Sequence, residues 1–83
     1  MVAIIADVNV RVRLFGHLAA QASEISVTVE TATAGAVLDA VARRDPSLKL
    51  RGVKVAVNDD YATPGTPVKN GDVVSLLPPV GGG

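Results

Sequence analysis

Only one stretch of this chain carries a helical stripe, and most of its other apolar runs alternate with a period of two. Ala34, Val37, Leu38 and Val41 fall at i, i+3, i+4 and i+7, on one face of an amphipathic helix. Thr33 suits the N-cap, because its hydroxyl can accept a bond from an otherwise unpaired N–H of the first turn. Arg43 and Arg44 complement the negative end of the helix dipole, and Pro46 prevents continuation, so the helix is predicted from Ala34 to about Arg44.

Around that helix the pattern is that of strands. Val8, Val10, Val12 and Leu14 alternate with Asn9, Arg11, Arg13 and Phe15, which predicts a half-buried strand that Gly16 breaks. Leu18 to Ala22 is Ala-rich and long enough for about one helical turn. A second strand is predicted over Glu24 to Glu30, with Ile25, Val27 and Val29 inward, antiparallel to the first. Gly52 opens a third, in which Val53, Val55 and Val57 alternate with Lys54 and Ala56, and Asn58, Asp59 and Asp60 supply turn residues. Pro64, Gly65, Pro67, Asn70 and Gly71 mark an irregular stretch with a short strand near Tyr61, and Val73 to Leu77 is the last strand. One helix among four to five strands predicts an α+β domain of two layers. With the last strand parallel to the first at the sheet centre, that arrangement is a β-grasp.

The composition narrows the function classes. At 83 residues there is room for one domain, and with Phe15 and Tyr61 the only aromatics its core must be aliphatic. Eight basic residues balance eight acidic ones, which removes the attraction behind non-specific nucleic-acid binding. Without cysteine there is no disulfide, Cys-based zinc site or thiol nucleophile. His17 is the lone histidine, so no triad can be built around it. Asp59, Asp60 and Asp72 read as turn formers rather than metal ligands, and Arg11, Arg13, Arg51 and Lys54 as a solvated face. Met1 to Ala6 is too short for a membrane span or signal core, so a soluble, cytoplasmic protein is expected.

The unusual chemistry lies at the end, Pro78-Pro79-Val80-Gly81-Gly82-Gly83. The two prolines hold the backbone extended and lack an N–H, so they predict a stiff stalk leaving the sheet. Val80 can seat in an apolar pocket, and the glycines present no side chain to obstruct a narrow channel. Extended, the six residues from Pro78 to Gly83 reach roughly 20 Å. Terminal glycines by themselves are often mere chain ends, but here they follow directly on a strand and a Pro-Pro pair, unlike a Ser-containing linker. If Leu14, Val55, Val74 and Leu76 face the helix, then Phe15, Lys54, Ala56, Ser75 and Leu77 share the outer face. Phe15, Lys54, Ala56 and Leu77 are therefore candidate docking residues beside the tail.

Val55-Ala56-Val57-Asn58, Asn70-Gly71-Asp72 and Leu77-Pro78-Pro79-Val80-Gly81-Gly82-Gly83, with the helix start Ala32-Thr33-Ala34-Gly35 and the strand ending Leu14-Phe15, resemble the MoaD group. These are the small subunits of molybdopterin synthase, in the MoaD/ThiS ubiquitin-like superfamily. Gly81 departs from that pattern, which often has a small non-glycine residue there, and Gly16 to Ser23 matches only loosely. The resemblance implies a ubiquitin-like β-grasp domain over 1–77 and an extended tail over 78–83, flexible at its glycines. It implies a non-catalytic sulfur carrier that binds no cofactor or metal itself. A MoeB-like, ubiquitin-activating-like adenylyltransferase, using ATP and magnesium, would adenylate the carboxylate of Gly83, and a sulfur donor would convert it to a thiocarboxylate. Pro78, Pro79, Val80, Gly81 and Gly82 would then occupy a channel in a MoaE-like large subunit, in a heterotetramer. There the sulfur would pass to cyclic pyranopterin monophosphate. Two alternatives stay open: a related carrier for thiamine, cysteine or tRNA thiolation or a protein modifier, and a β-grasp binding module with an inert tail.

Overall fold

The computed structural model describes residues 7–20 and 22–79. Five strands and one α-helix follow in the order β1 (Val8–Leu14), β2 (Glu24–Val29), α1 (Ala34–Arg44), β3 (Lys54–Val57), β4 (Asp60–Tyr61) and β5 (Val73–Leu77). They form a single sheet of order β2-β1-β5-β3-β4. β1 pairs antiparallel with β2, from Val8 opposite Val29 to Arg13 opposite Glu24. β5 lies parallel to β1 and antiparallel to β3, at the centre of the sheet. The expected β-grasp is the observed fold.

Burial follows the alternation. Val10, Val12 and Leu14 of β1 are buried with Val27 and Val29 of β2, Val57 of β3, and Val74 and Leu76 of β5. Ala34, Val37 and Val41 of α1 close this layer from above. Each fully buried valine or leucine side chain contributes about 1.5–3 kcal/mol, so a core with no ring in it is still sufficient.

The ends of α1 are held as the residue types predict. Thr33 Oγ1 accepts from the Ala36 N–H at 3.2 Å, and Asp45 N–H donates to the Val41 carbonyl at 3.0 Å. Arg44, in the last turn, donates from Nη1 to the Ser26 carbonyl at 2.9 Å and so caps part of the free edge of β2.

Two local expectations shift. The turn placed at Leu18 to Ala22 is a 3-10 helix over Gly16–Ala19, because Leu18 N–H bonds back to the Phe15 carbonyl at 3.1 Å. Its Leu18 side chain is buried against the core. β3 begins at Lys54 rather than Gly52, since Gly52 has φ +77 and Val53 N–H closes a turn onto the Leu50 carbonyl at 3.2 Å. Val53 still packs against the core from outside the strand.

Candidate functional site

The central position of β5 decides where the chain's last residues emerge. β5 runs between β1 and β3, so Leu77 is followed by Pro78 at the same end of the sheet where β1 gives way to Phe15 and Gly16. Pro78 is half-buried and Pro79 exposed, and neither continues the strand. The other tail residues predicted to matter, Val80, Gly81, Gly82 and Gly83, lie outside the described residues.

Beside this exit the sheet face turned away from α1 is apolar where the alternation predicts. Phe15, Ala56, Asp59, Tyr61, Ser75 and Leu77 line a shallow depression of about 240 Å³. The pairing explains the assembly: Ala56 stands opposite Ser75, and Lys54 opposite Leu77. Phe15 is 41% exposed. Ala56, expected among the docking residues, is on this face but only 6% exposed, because strands flank it on both sides. It serves as floor rather than contact. Lys54 lies at the rim, with its Nζ 5.6 Å from the centre of the Tyr61 ring, within range of a cation–π attraction.

Tyr61 was missing from the sequence-derived docking set, although it is 76% exposed and pairs with Ala56. Asn58 and Asp59, at φ 50 and 74, make a two-residue turn between β3 and β4. Both central residues at positive φ give the tight hairpin that folds Tyr61 back across Ala56. An Asn-Asp pair directly after an alternating run was the signal that could have found it.

That same turn is fastened to the start of β5. Asn58 donates from Nδ2 to Asp72 Oδ1 at 3.0 Å, and its Oδ1 accepts from the Val73 N–H at 3.0 Å. Asp72 Oδ2 accepts from the Lys69 N–H at 2.8 Å. The Asn58 bond first, and then that of Lys69, hold the Asp72 carboxyl below its ordinary value, against a smaller opposing effect of desolvation. The residue read as a plain turn former is a buried anchor for the strand that carries the tail.

A larger cavity, about 400 Å³, lies between α1 and the β3–β4 side, lined by Ala34, Leu38, Val53, Val55, Ala62 and Pro64 among others. Its wall is mostly apolar, with Lys54 and Tyr61 as its ionisable lining residues. Among the described residues no three histidine, aspartate or glutamate side chains gather to hold a metal ion. No described helix is long and apolar enough to cross a membrane.

A β-grasp body whose central C-terminal strand leads into a Pro-Pro tail, beside an exposed aromatic and aliphatic face, defines a small ubiquitin-like domain. Solved structures of the same shape agree. SAMP1 from Haloferax volcanii, a small archaeal modifier protein, is 30% identical with a TM-score of 0.75, over 90% of this chain and 99% of that one. A putative molybdopterin converting factor subunit 1 from Pyrococcus furiosus is 27% identical with a TM-score of 0.77, over 88% and 99%. A complex of subunits 1 and 2 of the molybdopterin-converting factor from Helicobacter pylori includes a chain 35% identical, with a TM-score of 0.61, over 90% and 99%. No curated protein matches the chain. The ThiS family profile matches residues 12–83, and the chain belongs to the ThiS family.

Proposed function

We propose that this protein is a sulfur carrier acting as the small subunit of a molybdopterin synthase, with the α-carboxylate of Gly83 as its working group. The observation that carries the reading is the placement of the Pro78-Pro79 exit directly beside the Phe15, Tyr61 and Leu77 face. A partner seated on that face would receive the tail without any rearrangement of the sheet. The likeness to subunit 1 of a molybdopterin-converting factor, found in complex with its subunit 2, supports a large-subunit partner.

The chemistry follows from what the chain lacks. A carboxylate is a poor electrophile until one oxygen becomes part of a leaving group. ATP supplies that by forming the acyl-adenylate with release of pyrophosphate. Sulfur from a donor then displaces AMP and leaves a thiocarboxylate, which can attack the pyranopterin acceptor. With no cysteine in the sequence, carried sulfur has no side chain to reside on. Acid, base and cationic groups at the reacting centre come from the partners.

The likeness to SAMP1 favours one second reading, a protein modifier joined to amines through the same activated terminus. Mass spectrometry separates the two. After incubation with a ubiquitin-activating-like adenylyltransferase, ATP, magnesium and a sulfur source, the expected product gains about 16 Da on the C-terminal peptide, one oxygen exchanged for sulfur. Conjugates to lysine with no thiocarboxylate would establish the modifier instead. Deleting Gly83 is expected to abolish transfer, because the arm falls about 3.5 Å short of the reacting atom. Full transfer by the shortened protein would show that tail length is not measured.

A further inference from the structure

The two prolines that end the ladder each meet a glycine. β5 is parallel to β1 with Leu14 opposite Leu76, so two residues further along Gly16 falls beside Pro78. β5 is antiparallel to β3 with Lys54 opposite Leu77, so Gly52 falls beside Pro79. The distances agree with this extrapolated register. A Cβ on Gly16 would stand 2.8 Å from Pro78 Cγ, and one on Gly52 would stand 3.7 Å from Pro79 Cγ. Both glycines are left-handed, at φ +57 and +77. They turn β1 and the segment before β3 away at the level where the pyrrolidine rings need room.

We infer that Gly16 and Gly52 are positioning residues, the two walls of a slot that seats Pro78-Pro79 and thereby sets the direction in which the tail leaves the sheet. The slot acts where hydrogen bonding stops. A proline offers no N–H to a neighbouring strand, and among the described residues no turn or loop backbone N–H donates to the Pro78 or Pro79 carbonyl. Ring contact on both sides replaces such bonds. Gly16 is the strict wall, since a side chain there meets the ring at less than any normal contact distance, and the ring is tied into the backbone. Gly52 is the permissive wall, where a methyl group would make an ordinary contact. An arm aimed by this slot delivers its terminus to one place relative to the Phe15 and Leu77 face, and this consequence rests on the carrier reading.

Gly71 provides the control. It too is left-handed, at φ +85, but a Cβ there has nothing within 4 Å. Gly71→Ala therefore introduces the backbone strain of Gly16→Ala without touching the tail. Two measurements are made on the full-length protein, each with a thermal melt to verify folding. The first is NMR of Pro78 and Pro79, where Gly16→Ala should shift the ring resonances and remove the Gly16 to Pro78 contacts, while Gly71→Ala leaves them in place. The second is ATP–pyrophosphate exchange with the adenylyltransferase. Gly16→Ala should lower kcat by about tenfold or more with KM nearly unchanged, because docking survives and aim is lost. Gly52→Ala should show a smaller drop and Gly71→Ala none. Adding Pro78→Ala to Gly16→Ala should leave activity no lower than Pro78→Ala alone, since the atom that the new methyl group meets is gone. Should Gly16→Ala not fold, Gly16→Asn, which tolerates positive φ, poses the same clash. Proline resonances and kcat that respond alike to the Gly16 and Gly71 substitutions would overturn the slot. A wild-type protein that is never adenylated would overturn the carrier reading, and the NMR comparison would still decide the slot on its own.

Discussion

Asp72 joins three parts of the molecule through hydrogen bonds. Its side chain accepts from Asn58 on the β3–β4 turn and from Lys69, while its carbonyl accepts from the Arg11 N–H of β1 at 3.0 Å. A carboxyl held below its ordinary 3.8 favours the fold in its charged form. That contribution is fully present above the unfolded-state value and is lost as pH falls through the lower folded-state one. Asp72→Asn is expected to lower Tm near neutral pH, because an amide cannot accept both bonds equally well, and to flatten the acid limb of the Tm profile. Thermal melts across the range from neutral pH to below about pH 3 check this. An unchanged acid limb in the variant would assign the pH dependence to other carboxylates.

At the scale of elements, α1 and β5 carry different shares of the stability. Losing the Thr33 cap through Thr33→Ala should cost about 1 kcal/mol, the usual worth of one satisfied N-terminal N–H. Leu76, fully buried at the centre of the sheet, is another matter. Leu76→Ala should cost about 2–5 kcal/mol, lost transfer energy plus the cavity left behind. Set against a total of about 5–15 kcal/mol for a small domain, the first variant stays folded and the second loses much of its margin. Urea titration of both reads the difference directly. A Leu76→Ala cost as small as that of Thr33→Ala would mean that the centre of the sheet repacks freely.

For the molecule as a whole, the sheet divides labour between its faces. One is covered by α1 and supplies the core, and the other leaves Phe15, Tyr61 and Leu77 beside the tail. Leu77 is half-buried and outward, so Leu77→Asp should leave the thermal transition within a few degrees of wild type while weakening the proposed large-subunit complex. Calorimetric titration against the large subunit measures the second effect. Unchanged affinity would remove Leu77 from the docking surface.

Much of this architecture was legible in the residues themselves. The period-two runs of β1 and β2, the Thr33 cap and the end of α1 at Arg43-Arg44 before Pro46 are local matters, decided by side-chain direction and by hydrogen bonds within a few residues. The same alternation placed Phe15, Ala56, Ser75 and Leu77 on one face before any pairing was known. What local pattern could not decide was which strands become neighbours. Only once β5 lies between β1 and β3 do Gly16 and Gly52 become walls for Pro78 and Pro79, rather than a strand breaker and a strand opener. The folding of Tyr61 over Ala56 and the burial of Asp72 likewise depend on residues brought together from distant parts of the chain. Sequence determined the faces of each element, because that information is carried in a few successive residues. Tertiary structure decided the tail's seat, because a contact between Gly16 and Pro78 exists only after the intervening chain has closed the sheet.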